Sequence, residues 1–157
     1  MSNPQSIDKD FDHLYPDFRN KCTKTIEQAN TETEGKFPGF VKWVLFEGFR
    51  SQARQAYLYA QGRSRPGSKV TNAQTSPYHN RGIAADIVWL DAQGDPHWDG
   101  KSEMWAVLGH CARANGLEWG GDWGGSLGDV GHIQIPKTQL ASVTASVADW
   151  KQSINLA

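Results

Sequence analysis

His79 and Asp86 stand seven residues apart in the run Ser76-Pro-Tyr-His-Asn-Arg-Gly-Ile-Ala-Ala-Asp86, and His132 closes the short run Asp129-Val-Gly-His132. Two imidazoles and a carboxylate are donor types of a catalytic zinc centre, which takes three protein ligands and keeps a fourth position for water. Asp86 lies between Ala85 and Ile87, in an apolar segment where a carboxylate is costly to bury unless it is paired or bound to a metal. Gly82 lets the backbone turn so that His79 and Asp86 can converge. A purely structural His–Asp hydrogen bond is the competing reading of that segment. Asp129, three residues before His132, adds a carboxylate able to hold a water that a metal would activate, and the two fragments together favour the metal. Between them, Glu118-Trp-Gly-Gly-Asp-Trp123 exposes polar groups among ring faces. His13, on a helical segment, His97, beside Pro96, and His110, near Cys111, read as solvent-facing or packed histidines.

The apolar spacing locates the elements that must position these groups. Phe11 to Ala29 carries Leu14, Phe18, Cys22, Ile26 and Ala29 at three- and four-residue steps and predicts an amphipathic helix. Val41 to Phe49, rich in β-branched and aromatic residues, predicts a strand ending near Gly48. Ser51 can cap a helix through Ala53, Ala56, Tyr57 and Ala60 that stops near Gly62. Residues 63–80 lack periodicity and read as a long surface loop, a frequent seat of function. Ile83 to Leu90 suits a buried strand, and the DAQGDPHWDGK that follows reads as a turn or loop. Ser102 to Asn115 has helical spacing at Met104, Trp105, Leu108, Cys111 and Ala112, closed by Gly116. Leu117–Trp119 and His132–Ile135 are short strands across a glycine-rich connection, and Pro136 opens a last helix through Leu140, Val143, Val147 and Trp150. The expected class is α+β, a small, mainly antiparallel sheet flanked by helices with a single zinc site.

A chain of 157 residues fits one domain spanning 1–157, and a monomer is expected. Sixteen basic and 17 acidic residues leave a net charge of −1, which excludes a global field favouring nucleic acid or an anionic membrane. No apolar run reaches the roughly 20 residues of a membrane anchor, and the start lacks a signal-peptide pattern, so synthesis in the cytoplasm is expected. Cys22 and Cys111 lack a Cys-x-x-Cys neighbour and read as buried free thiols. Trp43, Trp89 and Trp105 fall in periodic segments and should pack inside, whereas tryptophans beside glycines should line a groove.

Four ordered fragments carry a resemblance: Gly48-Phe-Arg50-Ser51 with Gln55, His79-Asn-Arg-Gly82-Ile-Ala-Ala-Asp86, Glu118-Trp-Gly-Gly-Asp-Trp123, and Asp129-Val-Gly-His132-Ile-Gln134. Over roughly Glu47 to Gln134 the chain resembles the zinc D-Ala-D-Ala carboxypeptidase and L-alanyl-D-glutamate endopeptidase family of peptidoglycan peptidases, which includes phage endolysins. The resemblance implies that His79, Asp86 and His132 bind Zn2+, that Asp129 is the general base, and that Arg50 polarises the scissile carbonyl. Glu118 reads as support behind the metal ligands. Gln55, Ser76, Tyr78, Trp119 and Trp123 are candidates for binding substrate or backing the site. The family commonly has a serine two places before the first histidine; here Ser76 stands three before it. The implied function is hydrolysis of the L-alanyl-D-glutamate bond of bacterial cell-wall peptidoglycan, as a phage lysis enzyme made in the host cytoplasm, released to the wall, and lacking a separate wall-binding domain. A D-Ala-D-Ala carboxypeptidase of the same fold and a non-catalytic wall-binding module are the alternatives.

Overall fold

A computed structural model describes residues 3–125 and 128–157. Helices α1 (Pro16–Thr33), α2 (Gln52–Ala60), α3 (Ser102–Ala114) and α4 (Leu140–Ser153) surround a five-stranded sheet of β1 (Lys42–Glu47), β2 (Ala84–Leu90), β3 (Pro96–His97), β4 (Glu118–Trp119) and β5 (His132–Gln134). Strand order is β1-β2-β5-β4, with β3 pairing to the far end of β2, and every pairing in the sheet is antiparallel. The expected α+β class with a small antiparallel sheet is what the chain adopts.

Alternation along β2 and β5 sorts the side chains. Ile83, Ala85, Ile87, Ile133 and Ile135 join the apolar cluster shared with α1 and α3, while Ala84, Asp86, His132 and Gln134 alternate onto the opposite face. Trp43 and Trp105 meet edge to face at 5.0 Å in that cluster. Both are almost fully buried, whereas Trp89 is only half-buried. The edge of β1 is covered by α1: Asn30 accepts from the Trp43 N–H at 2.7 Å and donates to its carbonyl at 3.2 Å, supplying partners that an edge strand lacks. Cys22 and Cys111 are free and buried, and burial pushes the Cys22 thiol up to about 12.

Several expected boundaries shift for local reasons. The first helix starts at Pro16, whose ring suits the first helical position, after a short 3-10 turn at Phe11–His13. Ser51 caps α2 as expected, accepting from Arg54 N at 3.1 Å. The residues α2 buries are Arg54 and Gln55 rather than its alanines, because both reach polar partners inside. The last helix begins at Leu140, since Pro136 instead caps a 3-10 turn at Lys137–Gln139. β3 appears within the segment expected as a turn or loop. Among the described residues no helix is long and apolar enough to cross a membrane.

Candidate active site

The sheet register assembles the site. Glu47 lies opposite Asp86 on β1 and β2, and Asp86 lies opposite His132 on β2 and β5, so three polar side chains form one row across three strands. An extra residue in β1 makes this row: Leu45 pairs with Ile87, and the register then shifts so that Glu47, not Phe46, meets Asp86. The next row carries Ala84, Gln134 and Glu118 across β2, β5 and β4. His79 enters from a 3-10 turn at His79–Arg81 that ends on Gly82 in the left-handed region, at φ 68°. A side chain at Gly82 would also press on the His13 carbonyl at 2.8 Å and the Trp150 ring at 3.0 Å, so glycine lets α4 clamp this turn.

His79, Asp86 and His132 converge as the candidate metal ligands. His79 Nε2 lies 3.3 Å from His132 Nδ1 and 3.4 Å from Asp86 Oδ1, and His132 Nδ1 lies 3.3 Å from Asp86 Oδ1. A tetrahedral ion with ligands at about 2.0–2.1 Å has edges of about 3.3 Å, so the donor triangle fits such an ion. The outer ring nitrogens confirm the fit. His79 Nδ1 is 2.7 Å from the Gly48 carbonyl and His132 Nε2 is 2.7 Å from Gln134 Oε1. These acceptors place the ring protons outward and turn the free lone pairs inward.

The triangle sits in a groove of about 880 Å³ whose lining includes Arg50, Gln55, Ser76, Trp98, Trp123 and Asp129. Asp129 lies in the loop before β5, and its backbone is pinned to Gly120 by a 3.0 Å hydrogen bond from Asp129 N. Burial pushes the Asp129 carboxyl above the usual carboxylate range, and the neighbouring charge of Asp86 adds to this. Asp86 moves the other way: burial raises it, but His79 and His132 more than reverse that and hold it well below 3.8. Environments that drive two carboxyls apart in this manner separate a ligand from a proton carrier.

Arg50 Nη2 donates to Glu47 and to Asp86, both at 2.8 Å, and Nη1 donates to Gln55 Oε1 at 3.1 Å. Gln55 in turn donates to the Ala73 carbonyl at 2.7 Å, tying the 63–80 loop to the site. Ser76 lines the groove while its carbonyl accepts from Asn80 N at 2.9 Å. Trp123 stands 5.1 Å from the His132 ring. Glu118, Tyr78 and Trp119 do not line the groove. Trp119 wedges between Gly109 and Gly121 and donates to the Val130 carbonyl at 2.7 Å, bracing the Asp129 loop from behind. Tyr78 packs against the core, and its hydroxyl is raised by burial and by the charge of Glu118. Glu118 accepts from Gln134 Nε2 at 3.1 Å and from Lys137 N at 2.8 Å.

Sequence reasoning missed three participants. Glu47, almost fully buried, bridges Arg50 and Arg54, and the same logic that marked Asp86, a carboxylate in an apolar strand, could have found it. Gln134 carried no chemical signal in the sequence. Trp98 is exposed at the groove wall, edge-on to Phe46 at 4.9 Å, and sits against Gly131, where a side chain would collide with it.

The buried His–Asp–His triangle opens on a groove, with the Asp129 carboxyl on the same groove, and could hold a metal ion. Residues 71–135 match the peptidase family described as D-alanyl-D-alanine carboxypeptidase. The Peptidoglycan L-alanyl-D-glutamate endopeptidase CwlK of Bacillus subtilis (strain 168) is 42% identical over 90 residues, or 51% of this chain and 53% of that protein. The chain thus spans about half the length of this curated relative. The crystal structure of Serratia marcescens L-Ala D-Glu endopeptidase ChiX is similar with a TM-score of 0.55 at 26% identity, covering 82% of this chain and 85% of that one.

Proposed function

We propose that this protein is a zinc-dependent peptidoglycan endopeptidase that hydrolyses the L-alanyl-D-glutamate bond of the stem peptide, as a monomeric phage lysis enzyme acting on the host wall. The observation that carries the reading is the His79, Asp86 and His132 triangle on the floor of a groove shared with Asp129. The names of the two relatives support the bond, and the Glu118 to Trp123 stretch supports the phage and bacterial endopeptidase branch.

When bound, Zn2+ supplies Lewis acidity and lowers the pKa of water to about 7. Asp129 takes the proton of the attacking water and returns it to the leaving amine; its raised pKa suits a group that must do both. Arg50 uses its Nη2 hydrogens to hold Asp86 and Glu47 and one Nη1 hydrogen for Gln55, leaving a second Nη1 hydrogen for the scissile carbonyl. Such a fixed donor contributes on the order of 3 kcal/mol to an oxyanion. Trp123 and Trp98 give the groove two aromatic walls for the peptide.

Mass spectrometry of products from a defined stem peptide tests this. The expected product bears a new amino-terminal D-glutamate, and chelator abolishes its formation until zinc is restored. Release of terminal D-alanine would make the protein the carboxypeptidase that the matched family description names. Wall binding with no new amine at all would make it a non-catalytic module.

A further inference from the structure

The Gln134 amide has no charge of its own, yet it lies between a metal ligand and a carboxylate. Its Oε1 is 2.7 Å from His132 Nε2, and its Nε2 is 3.1 Å from Glu118 Oε2. The other Glu118 oxygen, Oε1, accepts from the Lys137 backbone N–H at 2.8 Å. Strand geometry makes the chain continuous: His132 and Gln134 are two apart on β5 and share a face, and Gln134 is the direct cross-strand partner of Glu118.

We infer that Glu118 and Gln134 form a relay that selects the His132 tautomer able to bind metal. This rests on the metal-site reading above but not on the peptidase reading. An ionised carboxylate only accepts hydrogen bonds. With Glu118 between two N–H donors, the Gln134 amide must turn its NH2 towards Glu118 and its oxygen towards His132. That oxygen demands a proton on Nε2, which leaves Nδ1 bare. Nδ1 is the atom 3.3 Å from both His79 Nε2 and Asp86 Oδ1, so the selected tautomer presents its lone pair to the metal position. Glu118 and Gln134 are therefore positioning residues: they act through the imidazole and do not touch substrate.

The relay predicts an unusual cost for a conservative change. In Glu118→Gln the new side chain has one oxygen for two donors. The Lys137 N–H is a backbone donor that cannot turn away and keeps that oxygen, so the new NH2 faces Gln134, whose amide flips and directs its own NH2 at His132 Nε2. The flip forces the proton onto Nδ1, the ligand atom. Two measurements read this without requiring peptide cleavage. In metal-free protein at alkaline pH, where the ring is neutral, 15N chemical shifts of His132 should show an Nε2-protonated ring in the parent and a mixture in Glu118→Gln. Chelator competition should show zinc affinity reduced about 10- to 100-fold in Glu118→Gln and in Gln134→Leu. Glu118→Gln keeps the side-chain shape, so it serves if Gln134→Leu fails to fold. An Nδ1-protonated ring in the parent, or zinc affinity in Glu118→Gln equal to the parent, overturns the relay. Failure of the zinc-loaded parent to cleave the peptide, with the tautomer and affinity results as expected, would overturn the peptidase reading and leave the relay standing.

Discussion

Asp129 and Asp86 are the same residue type on the same groove, and their surroundings shift their protonation in opposite directions. Asp86 is held ionised by two imidazoles, whereas burial and the Asp86 charge favour the protonated form of Asp129. Asp129→Asn keeps the shape and removes the proton acceptor, so kcat should fall by about 10²- to 10⁴-fold with little change in zinc affinity. Steady-state kinetics beside chelator competition check this, and a variant within tenfold of the parent would strip Asp129 of the base role. His132 gives a second residue-scale prediction. Burial lowers its pKa, but the hydrogen bond and charge of Asp86, with the charge of Asp129, raise it above 6.5 overall. The sign follows: below that raised pKa metal must displace a proton, so zinc affinity weakens as pH falls through it and levels off above it. Calorimetry in two buffers of different ionisation enthalpy should record proton release on zinc loading near neutral pH.

The loop between β4 and β5 depends on glycine at a close approach. A side chain at Gly120 would collide with the Asp129 carbonyl and crowd its Cβ at 3.1 Å. Because the obstacle is backbone, the loop must move and take the Asp129 carboxyl with it. Gly120→Ala should therefore lower kcat by about 10²-fold, the scale expected for a small misplacement of a reacting group, while His79 and Asp86, carried on other elements, keep their places. Near-parent zinc affinity with reduced kcat supports this account; parental kcat would show that the loop absorbs the methyl group without moving the base. The bulge in β1 is a positioning device of the same kind, since one extra residue exchanges Phe46 for Glu47 opposite Asp86.

At the scale of the molecule, Glu47 joins the metal face to the interior. Its side chain is 3% exposed and bonds Arg50 at 2.8 Å and Arg54 at 2.7 Å, while Arg54 also reaches the carbonyls of Pro4 and Gln5. The N-terminal segment, α2, β1 and, through Arg50, the candidate ligand Asp86 are thereby tied to one carboxylate. Glu47→Ala leaves two guanidinium groups poorly compensated in the interior, which costs about 3–5 kcal/mol. For a chain of this size that corresponds to a fall in Tm on the order of 10 °C by differential scanning calorimetry. A change under 2 °C would mean that water or the neighbouring carboxylate replaces Glu47.

The candidate ligands were legible in the chain itself, because few residues other than His79, Asp86 and His132 combine metal-binding chemistry with a context where burial of charge demands a partner. Periodicity located the four helices and the main strands for a similar reason: apolar spacing reports which face is covered. Spacing could not reveal the row Glu47, Asp86 and His132, since it depends on strand order and on a bulge that shifts register by one residue. Nor could it distinguish Trp119, wedged behind the sheet, from Trp123 on the groove, although both belong to one motif. Glu118 and Gln134 show the limit most clearly: the hydrogen bond between them exists only once β4 and β5 pair, and cross-strand proximity is a property of tertiary structure.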